Sequence, residues 1–207
     1  GIRCIDINNY PLKEEIDGAF TWDESRSSVC YIGAITSIRG VECLIDAMPH
    51  VNRNVCLDLV GPYTEPGLHG ACQNRTGWKR VNDHGVVDRA SVREVMKESL
   101  AGIVTFLPAP NHVDAQPNKM FEYMSAGIPV ICSDFPLWKE IVQGHSCGLC
   151  VNPEDPSAIA AAINQLYADQ EYAKSMGRNG WSAVLNKYNW TAEAPKLLAL
   201  YKAVLGG

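Results

Sequence analysis

Nothing in the sequence approaches the roughly twenty consecutive apolar residues that a membrane-spanning helix requires. Its most apolar stretches, such as residues 103–107 and 128–132, are far shorter, so a spanning helix is excluded and a soluble chain is expected. Basic charge is sparse as well. Lys and Arg number 18 against 23 Asp and Glu, a net charge of −5, and no dense basic block occurs, so a nucleic-acid partner is not expected. Neither the Gly-Lys-Ser/Thr ending of a P-loop nor the G-x-G-x-x-G spacing of a dinucleotide site is present. There is no Asp-x-Asp metal pair, and His50, His69, His84, His112 and His145 are scattered without metal or triad spacing. No basic and apolar leader opens the chain and residue 1 is Gly, which reads as a chain with an upstream segment removed.

What is present begins with eight cysteines. Cys30, Cys56 and Cys132 lie in apolar, strand-like runs where a free thiol packs as a small hydrophobe, and a reducing compartment is expected. Cys147-Gly148-Leu149-Cys150 has the spacing of a thioredoxin-type or zinc pair. A zinc site needs about four ligands and no second Cys or His pair lies near, so the motif reads as structural.

At 207 residues and 46% hydrophobic content the chain is long enough for one well-buried core. Residues 1–27 carry little periodicity and read as a linker or domain junction. From residue 28, strand-like runs at 28–32, 55–60, 86–87, 101–106, 129–133 and 148–151 alternate with helical patterns at 41–48, 91–99, 120–125 and 137–142. That alternation predicts an α/β domain over 28–188, a Rossmann-like open parallel sheet with helices on both faces. After Pro156 the pattern is all-helical, at 156–167, 171–188 and 191–204, with Thr191 as the N-cap of the last helix.

In such a sheet ligands bind outside the carboxyl ends of the strands, and three loops there carry chemistry. Gly33-Ala34-Ile35-Thr36-Ser37-Ile38-Arg39-Gly40 brings glycines and a cation to a helix start, though an Arg there is more often a solvated charge. In the long loop after Phe106, Pro117 suits the first turn of a helix, leaving the amides of Asn118, Lys119 and Met120 aimed at the cleft. Those amides and the Lys119 ammonium favour an anion such as a diphosphate. Glu122, one turn on, would repel that anion unless it faces neutral hydroxyls such as those of a ribose; otherwise it is an exposed helix residue. His84-Gly85-Val86-Val87 offers backbone groups to the edge of a nucleobase, or Gly85 simply permits a tight turn.

The run from Asn118-Lys119-Met120-Phe121-Glu122 through Ser125-Ala126-Gly127-Ile128-Pro129 resembles the donor-site signature of family-4 retaining glycosyltransferases of the two-domain GT-B fold. Tyr31-Ile32-Gly33 to Arg39-Gly40, residues 57–61, His84-Gly85-Val86-Val87 and Tyr188-Asn189-Trp190 match in the same order, so the resemblance covers about residues 28–204. It implies a donor-binding domain at 28–188, with 189–207 as a helix crossing back to an acceptor-binding domain missing from the N-terminal side, and an exposed apolar patch on that helix. It also implies a UDP- or GDP-linked sugar as donor substrate and no metal or other cofactor. Arg39 and Lys119 would neutralise the leaving diphosphate, with Gly33 and the amides near Asn118 in its cradle. Glu122 would take the ribose and Val86 and Val87 the base. Asp114 stands where the family commonly has a Glu on the transferred sugar, and Ala34 where many members have Arg. The implied setting is polysaccharide or glycolipid synthesis in the bacterial cytoplasm, with the longer protein peripheral to the inner membrane. Two rivals remain, a non-catalytic nucleotide-sugar-binding module and a sugar-nucleotide epimerase of the same fold.

Overall fold

Strand β1 (Ser28–Ile32) buries both of its faces. Val29 and Tyr31 join one apolar cluster and Cys30 and Ile32 another, the period-two alternation of a strand with helices above and below it. The computed structural model describes residues 5–13, 16 and 19–205; parts of the expected linker, and the last two residues of the expected C-terminal segment, lie outside them. In chain order β1 is followed by α1 (Val41–Ala47), β2 (Cys56–Val60), α2 (Leu68–Gln73), β3 (Val81–Gly85), α3 (Arg89–Glu98), β4 (Ser99–Val104), α4 (Pro110–Val113), α5 (Asn118–Ser125), β5 (Val130–Ser133), α6 (Pro136–Val142), β6 (Gly148–Val151), α7 (Pro156–Ala168), α8 (Gln170–Asn186) and α9 (Trp190–Leu205).

The strands pair in parallel in the order β3-β2-β1-β4-β5-β6, the expected Rossmann-like sheet, and α7 to α9 supply the all-helical end. Because every strand runs the same way, all carboxyl ends share one edge. The order reverses between β1 and β4, so the loops after these two strands flank the switch point where such sheets take ligands. Among the described residues no helix is long and apolar enough to cross a membrane.

Two local expectations need correcting, and one helix was not expected. The strand expected at 86–87 is β3, at Val81–Gly85. It is an edge strand with Asn82, Asp83 and His84 exposed, so it lacks the apolar run that marks a covered strand. The cap of α9 is Asn189, whose Oδ1 accepts from the Ala192 amide at 3.1 Å, and Thr191 lies inside the helix. Helix α2 has no counterpart in the sequence reading. The apolar patch expected on the last helix is present: Leu198, Tyr201, Val204 and Leu205 are each at least 56% exposed.

The first residues pack onto this body. Tyr10 is buried, its ring 4.8 Å from Phe121 and 5.4 Å from Tyr188 between centroids, and the Pro11 carbonyl accepts from the Trp190 amide at 2.9 Å.

One packing contact sets the position of α5. Gly102, in the middle of β4, leaves room for the Tyr123 ring, which a Cβ at that position would enter at 2.1 Å. Tyr123 is fully buried, and its hydroxyl accepts from the Ile32 amide at 2.9 Å. The end of β1 and the first turns of α5 are thereby tied together. Gly102→Ala is expected to destabilise the chain by about 1–3 kcal/mol through overpacking, read as a lowered urea midpoint.

Candidate functional site

The loop after β1 turns at Gly33, whose φ of 116° is open to glycine and strained for other residues. Its lack of a side chain matters in a second way. A Cβ there would lie 3.4 Å from Lys119 Nζ, so the ammonium of the first turn of α5 sits directly over the Gly33 backbone. Nζ is 3.8 Å from the centroid of the Tyr31 ring and 5.1 Å from that of Phe106. Arg39 also approaches Phe106, its Cζ 5.4 Å from the ring centroid. The Arg39 Nη1 donates to the Ala34 carbonyl at 3.0 Å, an oxygen that also accepts from the Tyr31 hydroxyl at 2.8 Å.

This arrangement brings two cations together on a floor of backbone and aromatic faces. Lys119 is only 9% exposed, and its Nζ has no hydrogen-bond partner among the described residues. Cation–π contact recovers part of the lost hydration, on the order of 1–2 kcal/mol, but an ammonium in such a place is costly. Burial first, and the Arg39 charge second, bring the Lys119 pKa down from 10.5 to about 7, against a smaller opposing pull from Glu122. The buried hydroxyls of Thr36 and Thr105, in the loops after β1 and β4, are likewise without partners among the described residues. Two cations set this close together, one of them buried, suit an anion.

The sequence-derived candidates fall into groups. Gly33, Arg39 and Lys119 are brought together as described. Asn118 and Glu122, on the neighbouring face of α5, line a cavity of about 540 Å³ between α5, α3 and the segment around Tyr10. The Met120 amide is not available to a ligand, because it donates to the Pro117 carbonyl at 3.0 Å. Pro117 itself is the N-cap rather than a first-turn residue. The amides of Asn118 and Lys119 meet no backbone acceptor among the described residues. Val86 and Val87 follow β3 at the same edge of the sheet, Val86 74% exposed and Val87 half-buried. Asp114 is exposed at the end of α4.

The loop that carries Asp114 is held at both flanks. Trp138 Nε1 donates to the Ala115 carbonyl at 2.7 Å, and Tyr10 donates to Gln116 at 2.9 Å. His112 packs its ring 4.9 Å from Phe106 with Nδ1 3.1 Å from the Leu107 carbonyl. Sequence reading missed Tyr31 and Phe106, the two rings beneath the cations. Their signal was position, since each is an aromatic residue at or just past the carboxyl end of a strand flanking the switch point. Among the described residues no three His, Cys, Asp or Glu side chains gather as a metal set.

Residues 26–169 match the model of a family described as glycosyl transferases group 1. An uncharacterized glycosyltransferase of Methanocaldococcus jannaschii is 24% identical over 185 residues, covering 88% of this chain and 46% of that protein. Anabaena HepE, solved in complex with UDP-glucose, shares the fold with a TM-score of 0.74 at 19% identity, over 86% of this chain and 49% of that one. The C-terminal domain of a glycosyl transferase group 1 family protein from Francisella tularensis does so with a TM-score of 0.65 at 17% identity, over 87% of this chain and 96% of that domain. The chain spans about half the length of the curated relatives it matches.

Proposed function

Because the chain belongs to the group 1 glycosyl transferases, we propose that it is the donor-binding half of a retaining enzyme that moves a sugar from a UDP- or GDP-linked donor to an acceptor held elsewhere in a longer protein. The observation that carries this reading is the buried ammonium of Lys119, without a hydrogen-bond partner among the described residues, beside Arg39 at the switch point. A diphosphate would supply both cations with a counter-charge and Lys119 with hydrogen-bond acceptors. A bound diphosphate favours the charged form of Lys119, and the pair then faces the oxygens on which negative charge grows as the glycosidic bond breaks. Groups that are fixed beforehand and interact more strongly as that charge develops lower the barrier.

The remaining roles follow from position. The amides of Asn118 and Lys119 at the start of α5 extend the anion site, with Gly33 allowing close approach. Glu122, on the wall of the neighbouring cavity, accepts from the ribose hydroxyls, and the backbone at Val86 and Val87 reads the base. Asp114 accepts from hydroxyls of the transferred sugar. Reaction in the cytoplasm belongs to the same proposal. A non-catalytic module would share the binding site, so turnover is tested in the longer protein, where both reactants are held together.

Calorimetric titration with UDP, GDP, ADP and inorganic pyrophosphate tests the donor site. One nucleotide is expected to bind selectively. Glu122→Ala should weaken the nucleotide about tenfold or more, the loss of a charge-assisted hydrogen bond, and leave pyrophosphate unchanged, whereas Arg39→Ala should weaken both. A folded chain that binds none of them at millimolar concentration would sink the proposal.

A further inference from the structure

The spacing of Cys147 and Cys150 invites a redox reading that the fold rules out for that pair. Cys150 lies in β6 and Cys147 just before it, and three residues of extended chain span about 10 Å, beyond the roughly 7 Å that a disulfide bridges. The partner is elsewhere. Cys132 of β5 is paired in register with Cys150, and their sulfurs stand 3.6 Å apart. Neighbouring strands lie about 4.8 Å apart, inside the Cα separations of about 4.4–6.8 Å at which disulfides form.

The two thiols are not equivalent. Strand β6 ends the sheet, so Cys150 is half-buried and within reach of a small oxidant, whereas Cys132 is fully buried and faces Cys150. The hydrogen bond from Cys132 and the nearby Lys139 ammonium hold the Cys150 thiol below its ordinary range, and burial holds Cys132 well above it. Every other described cysteine is pushed upward by burial. The thiolate is the nucleophile, so a half-buried attacking sulfur stands beside a fully buried resolving one.

We propose that Cys132 and Cys150 are a redox pair that a peroxide closes to a disulfide, making the β5–β6 edge of the sheet a reversible modification site. The Cys150 thiolate attacks a peroxide oxygen, forming S–O as O–O breaks, and the departing hydroxide takes up a proton to become water. Cys132 then attacks the Cys150 sulfenic acid. The S–S bond forms, S–O breaks, and the leaving hydroxide takes the Cys132 proton as a second water. Two thiols lose two electrons and the peroxide gains them. In a reducing compartment such a bond is transient, the usual form of intracellular redox sensing.

The test treats the folded chain with an equimolar amount of hydrogen peroxide, blocks remaining thiols with N-ethylmaleimide and maps peptides without reduction. The expected result is the loss of two thiols per chain, one cross-linked peptide joining Cys132 to Cys150, and full recovery with dithiothreitol. In Cys132→Ser, Cys150 should stop at a sulfenic acid that dimedone traps, and Cys150→Ser should lose no thiol at that dose. A cross-link to Cys147 or any other cysteine, oxidation of Cys150 beyond the sulfenic acid while Cys132 still alkylates, or a wild-type chain that keeps all its thiols would each overturn the proposal.

Discussion

Lys119→Met is expected to raise the unfolding midpoint of the ligand-free chain and, in the same molecule, to remove most of its affinity for a nucleoside diphosphate. Both effects have one cause. Burial, with the Arg39 charge behind it, lowers the ammonium pKa from 10.5 to about 7, a displacement worth at most about 5 kcal/mol. Between those two values the unfolded chain holds the proton and the folded chain does not. The Lys119 contribution therefore makes the ligand-free protein more stable as pH rises from about 7 to 10.5, and its cost is fully felt below pH 7. Methionine has similar reach, carries no charge and packs well against the Tyr31 and Phe106 rings. At pH 6 the variant should gain about 1–3 kcal/mol by urea denaturation, and the gain should shrink at pH 9. Nucleotide affinity should fall about thirtyfold or more, the worth of a hydrogen bond to a charged group. A variant that is less stable at pH 6, or that binds as the wild type does, would show that Lys119 is an ordinary structural residue.

The contrast between what this sequence discloses and what it conceals is physical. The covered strands β1, β4 and β5 declare themselves because both faces are buried and their residues are almost all apolar. Edge strand β3 has only one neighbour to cover it, so its Asn82-Asp83-His84 reads as loop and the apolar Val86-Val87 that follows it as strand. Arg39 and Lys119 were legible as cations at loop ends. The burial of Lys119 was not, because it depends on Gly33, Tyr31 and Phe106, which converge on it only when β1 and β4 lie side by side. Tyr10 shows the same limit, since a tyrosine before a proline reads as linker until α5 and the turn after α8 bury it. The Cys132 and Cys150 contact is a register fact, and a spacing rule instead points to Cys147.

Arg39→Met should cost affinity and also move the pH at which affinity is lost. In the wild type, burial and Arg39 bring the Lys119 pKa to about 7, while a bound diphosphate favours its charged form. Binding above pH 7 therefore takes up a proton, and affinity should fall by up to about tenfold per pH unit as pH rises from 7. Arg39 is the second cause of the lowered Lys119 pKa, after burial. Without it Lys119 keeps its proton to a higher pH, so the decline in affinity should begin later. At pH 7 the loss of the guanidinium should still weaken UDP or GDP about tenfold to a hundredfold, the range for charge-assisted bonds to phosphate. Titrations from pH 7 to 9 in buffers of different ionisation enthalpy read both the affinity and the proton taken up. They stay above the second phosphate ionisation near pH 6. If Arg39→Met weakens binding but leaves the pH profile and proton uptake unmoved, Arg39 contacts the ligand without acting on Lys119, and the two-cation site is wrong. If the midpoint rises and proton uptake at pH 8 falls, the two charges act as one unit on the anion.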